Sequence, residues 1–150
     1  MNTISLLKIS INHLQVGDTF EFKPIILDEK TIIEFAKNYD PLPFHTDPKE
    51  AEKSTFGKLI ASGPQLFNHF YMRDWLPLMK DTIICGLSFD NWRFLSPTFV
   101  DQSNHVKIEI IEKSVNEERK SAKVSWLITF YTDENKKVQE LTMRVLHKLD

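Results

Sequence analysis

The sequence predicts an α+β fold, and three observations predict it. Apolar residues recur at helical spacing through the first half. Beyond Thr82 they alternate with polar residues at period two. That change of period happens once, with no linker, repeat or low-complexity tract at the join. One long apolar helix beside a curled antiparallel sheet satisfies all three. The 150 residues are the size of one domain, enough for one proper core. A content of 41% hydrophobic and 27% charged residues, with only 4 Gly and 7 Pro, excludes fibrous and disordered classes.

Residues 1–22 read as a lead-in strand region, with a turn at Val16, Gly17 and Asp18 before the strand residues 19–22. Asp28 is an N-cap for a helix over 29–38, whose Ile32, Ile33, Phe35 and Ala36 form the buried side. Residues 39–46 contain Pro41 and Pro43, and Pro43 keeps Leu42 out of helical geometry, so an extended stiff loop is expected. Asp47, Pro48 and Glu50 then have the pattern of a capped short helix ending near Ser54. Ser62-Gly63-Pro64 opens the longest helix, to about Lys80. Leu66, Phe67, Phe70, Tyr71, Trp75 and Leu78 give it a broad apolar face, and Pro77 kinks or shortens its last turn. Three alternating segments follow, centred on Val106-Ile108-Ile110, Val124-Trp126-Ile128-Phe130 and Leu141-Met143-Val145. These are antiparallel strands with one buried face, joined by polar turns at 116–118 and 133–135.

Nineteen basic against 21 acidic residues leave a net charge of -2. No basic stripe appears, so no nucleic-acid partner is expected. No leader pattern and no apolar run of ~18 residues occurs, so no membrane partner is expected either. Cys85 is the single cysteine, which fits a reducing, cytoplasmic setting. Its apolar neighbours predict a buried small hydrophobe.

The residues with chemistry cluster around the 39–46 loop. Asp40 and His45 stand five apart between two helices, where a carboxylate and an imidazole can share one water or one substrate proton. Leu42 and Pro43, between them, are candidate substrate contacts. Gly63 lies at a helix N-terminus, where its N–H is unpaired and positively polarised, suited to a carbonyl oxygen that gains charge. Ser62 either caps that helix or donates to substrate. Arg93 faces either a phosphate group or a loop carbonyl. His13, His105 and His147 have no suitable partners in the sequence, and His69 belongs to a polar or dimer-facing strip. No complete metal-ligand set is present, so no metal is expected.

Phe35-Ala36, the run Asp40-Pro41-Leu42-Pro43-Phe44-His45-Thr46-Asp47-Pro48, Ala51, Phe56-Gly57 and Ile60-Ala61-Ser62-Gly63 resemble the hydratase signature of the MaoC-like dehydratase family. Trp92-Arg93-Phe94-Leu95-Ser96-Pro97 is similar to that family's segment before its middle strands. The resemblance implies a hot-dog fold, a long central helix wrapped by an antiparallel sheet, in a homodimer with active sites near the interface. It implies reversible hydration of a 2-enoyl thioester to the (R)-3-hydroxyacyl product. Asp40 and His45 would hold the water, and the Gly63 N–H would polarise the thioester carbonyl. The acyl group would ride on coenzyme A or acyl carrier protein, with no metal or redox cofactor. Two positions depart from the pattern. Leu42 stands where the family often has Asn, and Asp101-Gln102 replaces a Gly-Asp turn. Two other functions remain open on this fold: a non-catalytic acyl-binding protein, and a thioesterase using a carboxylate such as Glu34 or Glu50.

Overall fold

A computed structural model describes residues 9–150. Part of the expected lead-in strand, residues 1–8, lies outside the described residues. The remainder of it is a short 3-10 turn, Ile11–His13, and strand pairing begins only at β1, Thr19–Ile26. The helix α1, Glu29–Tyr39, starts where Asp28 accepts the Thr31 N–H at 2.8 Å, and those Thr31 contacts hold the Asp28 carboxyl below its usual range. Short helices α2 (Pro43–Thr46) and α3 (Pro48–Lys53) follow. Asp47 caps α3 by accepting the Lys49 and Glu50 N–H groups, as its spacing requires.

The long helix is not one regular α-helix. It runs as α4 (Gly63–Phe70), a π-helical stretch (Tyr71–Trp75) and α5 (Leu76–Met79). Pro77 explains the departure from the single α-helix expected to Lys80. Its ring would strike the Arg73 carbonyl one turn back and it has no N–H to donate, so the preceding turn widens.

Strands β2 (Ile83–Phe94), β3 (Ser103–Asn116), β4 (Ser121–Tyr131) and β5 (Lys137–Lys148) join β1 in one antiparallel sheet of order β1-β3-β4-β5-β2. The sheet curls round the long helix, the hot-dog arrangement. Phe70 meets Phe22 and Phe130 edge-on at centroid distances of 5.3 and 6.0 Å, and Trp75 meets Trp126 at 5.6 Å. These contacts come from β1 and β4, so the helix lies against the sheet's inner face. The alternating residues named in β3, β4 and β5 are all buried. The turn at Asp101 matters too. Asp101 takes φ 61°, the left-handed geometry a glycine would adopt at low cost, and its N–H donates to Leu27. The Asp101-Gln102 departure therefore keeps the turn.

Two expectations are corrected here. Cys85 is exposed, because β2 is an edge strand whose register slips at three places and breaks simple alternation. His105 and His147 do have partners, supplied from remote segments. His105 meets Asp133, and His147 sits between Thr82 and Trp126. Among the described residues no helix is long and apolar enough to cross a membrane.

Candidate active site

The loop after α1 is tighter than an extended segment. Leu42 is extended, as the following proline demands, with φ -77° and ψ 142°. Pro43 then begins the helical turn α2, where its fixed φ fits and its missing N–H is not needed. The Leu42 carbonyl accepts the His45 N–H at 2.9 Å and closes the turn. This corrects the expected extended loop, and it is what folds His45 back over Asp40.

Three contacts fix the pair against the segment leading into α4. The His45 Nδ1 donates to the Ile60 carbonyl at 2.7 Å. The Phe44 carbonyl accepts the Ile60 N–H at 3.3 Å. The Ser62 hydroxyl donates to Asp40 Oδ2 at 2.7 Å. A carbonyl can only accept, so Nδ1 carries a proton, and in the tautomer with that single ring proton Nε2 is an acceptor. Nε2 lies 3.4 Å from Asp40 Oδ2. The His45 side chain is 6% exposed and that of Asp40 35%, so the imidazole is enclosed while the carboxylate reaches open space. Two acceptor atoms converging in this way suit a shared water molecule.

The open space is a cavity of about 940 Å³ lined by Asp40 and Ser62, by Phe35 and Tyr39 of α1, by Phe67, Tyr71 and Trp75 of the long helix, and by Phe89 and Trp92 of β2. Its helix residues run from Pro64 to Trp75 over successive turns, so it extends along the helix for about 16 Å. Apart from the Asp40 end its walls are largely apolar, the composition of a site for a hydrocarbon group.

The expected site residues divide accordingly. Asp40 and Ser62 line the cavity. His45 touches Asp40, and Gly63 is the next residue after Ser62 and the first of α4. Among the described residues none accepts the Gly63 N–H. Ser62 makes no helix-capping bond; its hydroxyl is committed to Asp40. Leu42, Pro43 and Arg93 are not among the lining residues. Leu42 is 44% exposed and shapes the turn through its carbonyl. Arg93 is exposed and follows the cavity-lining Trp92 along β2 without lining the cavity itself. Glu34 and Glu50 line no part of this cavity; they pair with Lys30 and Lys53. No group of three metal-ligating side chains occurs among the described residues.

Phe35, Tyr39, Phe89 and Trp92 were not singled out by the spacing as site residues. For α1 the signal was present, since Phe35 and Tyr39 stand one turn apart immediately before Asp40. For β2 the irregular register hides it. His69, from the expected polar strip, lines a second groove of about 560 Å³ with Thr31, Gln65 and Arg73. Burial first, then the Arg73 charge, pushes its imidazole below the usual range.

Comparison with known proteins agrees with this architecture. The chain is 25% identical over 142 residues to the uncharacterized protein YdeM of Bacillus subtilis, covering 93% of this chain and 99% of that one. It is similar in structure to a MaoC-like dehydratase from Rhodospirillum rubrum, with a TM-score of 0.82 and 26% identity over 95% of this chain and 98% of the other. The R-hydratase PhaJ1 of Pseudomonas aeruginosa shares the fold, with a TM-score of 0.76 at 21% identity over 95% and 88% of the two chains. Residues 12–129 match the family described as the MaoC like domain, so this chain belongs to the MaoC-like family.

Proposed function

We propose that this protein is a hydro-lyase that reversibly adds water to a 2-enoyl thioester, forming a 3-hydroxyacyl thioester. The observation that carries this reading is the pair of acceptors, Asp40 Oδ2 and His45 Nε2, 3.4 Å apart at the polar end of an apolar cavity. A water held between them places its oxygen toward C3 of an acyl group lying along the helix. His45 Nε2 takes a proton as the C3–O bond forms, and Asp40 supports the resulting imidazolium. The electron pair of the double bond moves through C2 onto the thioester oxygen, where the polarised Gly63 N–H meets the developing charge. The proton on His45 then passes to C2. One water is added in all, with no change that needs an electron carrier.

The Ser62 hydroxyl holds the carboxylate in place through the hydrogen bond it donates to Oδ2. The cavity is far larger than a four-carbon acyl group requires, which supports longer or bulkier chains. The carrier on this reading is coenzyme A or acyl carrier protein. A second copy of the chain is the proposed partner. Among the described residues the β2 edge is unpaired, and it exposes Ile84, Leu87, Phe89 and Phe94, a row that a matching strand would cover.

The test is to incubate the purified protein with 2-enoyl-CoA esters of rising length and follow loss of the conjugated enoyl absorbance. Turnover that increases from four to about ten carbons is the expected result. Release of free thiol with the double bond intact would mean thioester cleavage instead. Binding without either change would make it an acyl-binding protein.

A further inference from the structure

Gln139 has no place in the chemistry above, yet it is 1% exposed and hydrogen-bonded to the residue that chemistry depends on. Its Nε2 donates to the Gly63 carbonyl at 2.9 Å. Its Oε1 accepts the indole N–H of Trp92 at 2.8 Å. The indole can only donate, so it claims the amide oxygen and forces the amide NH2 toward Gly63. The direction of the Gln139 amide is thereby set by a cavity-lining aromatic of β2.

Gly63 needs such a constraint. It begins α4 with two soft torsions and no side chain, and a helix's first residues lack partners within the helix. Ser62 before it is tied to Asp40. On the other side, a Cβ built on Gly63 would meet the Phe94 ring at 2.7 Å, so that ring already packs on its Cα. Gln139 completes the clamp at the carbonyl.

We propose that Gln139 is a positioning residue: by holding the Gly63 carbonyl, with its own amide oriented by Trp92, it aims the Gly63 N–H at the thioester carbonyl oxygen. The inference rests on Gly63 being the oxyanion donor and adds the device that fixes its direction.

The probe is a saturated acyl-CoA such as octanoyl-CoA, labelled with carbon-13 at the thioester carbonyl, bound to the whole protein and read by difference infrared spectroscopy. In the wild type the bound carbonyl stretch moves to lower frequency than in water. In Gln139→Met, of similar size but without the donor, at least half of that shift is lost. Trp92→Phe, which keeps a ring and removes the N–H, loses a smaller part, and serves if the methionine variant does not fold. Trp126→Phe, a core change on the same sheet, keeps the full shift, which a generally loosened fold would not. With 2-enoyl-CoA, kcat of Gln139→Met falls about tenfold while KM changes less than about twofold, part of the loss expected for removing an oxyanion donor outright. A wild-type shift retained in Gln139→Met overturns the inference and leaves the hydratase reading intact. A shift lost in Gln139→Met upholds it even if no enoyl ester is hydrated. A wild type that binds the probe with no shift at all overturns it, whatever the turnover.

Discussion

Asp40 and His45 are legible as a pair because the prolines between them limit the loop, but nothing in the sequence says that they converge. The contacts that make them converge come from Ile60 and Ser62, 15 and 22 residues away. Each member predicts its own loss. Asp40→Asn and His45→Gln should each lower kcat by about 10²–10⁴ with the fold retained, measured on a 2-enoyl-CoA ester with circular dichroism as the fold control. Ser62→Ala removes one bond to a charged acceptor and should lower kcat by about 10- to 100-fold. A Ser62→Ala enzyme with full kcat would mean that the hydroxyl does not serve the carboxylate. Gln139 stands in register with the inward-facing Leu141, Met143 and Val145, and was not singled out from the sequence. Two residues' spacing cannot reveal that its partners would be Trp92 and Gly63.

At the scale of elements, helix and strand order follow from the period of the apolar residues, and what escapes is whatever breaks the period. Pro77 announces a disturbance but not the π-helical turn before it, and the slips in β2 conceal which of its residues face the cavity. The join between the long helix and the sheet meets a buried histidine of β5, His147, that spacing could not pair. The Thr82 hydroxyl donates to the Met79 carbonyl, so its oxygen accepts from His147 Nδ1, while His147 Nε2 accepts from Trp126. Every position of the ring is filled in the neutral form, and burial pushes its pKa down to about 4. The sign follows directly. Above pH 6.5 neither state binds this proton; below it the unfolded chain takes up a proton that the native state refuses, so stability falls as pH falls toward 4. This residue alone should cost about 3 kcal/mol between pH 7 and pH 4. Urea unfolding at both pH values, for the wild type and His147→Gln, checks it. The wild-type advantage should shrink by that order at the lower pH, and a constant difference would contradict the linkage. Trp126→Phe should cost about 1–3 kcal/mol at pH 7, because it leaves Nε2 buried without a donor.

At the scale of the molecule, the sheet has one edge, β2, that supplies both a wall of the cavity and an exposed apolar row. A sequence read in isolation shows the apolar residues but not that their strand ends the sheet. Ile84 lies in that row and outside the cavity lining, so Ile84→Lys should turn a dimer into monomers in sedimentation velocity without changing the pair at Asp40. A wild type that sediments as a monomer at micromolar concentration would remove the second copy from the account. The architecture otherwise converges on one operation, the placing of a water between Asp40 and His45 against an acyl chain along the helix. That operation is tested most directly by incubating the wild type, Asp40→Asn and His45→Gln with oct-2-enoyl-CoA in heavy-oxygen water and analysing the thioester by mass spectrometry. The account predicts a 3-hydroxyoctanoyl-CoA that carries one solvent oxygen, formed by the wild type and reduced at least a hundredfold in both variants. An unlabelled, unchanged enoyl ester with the folded wild type, or labelled product formed equally by all three proteins, would contradict it.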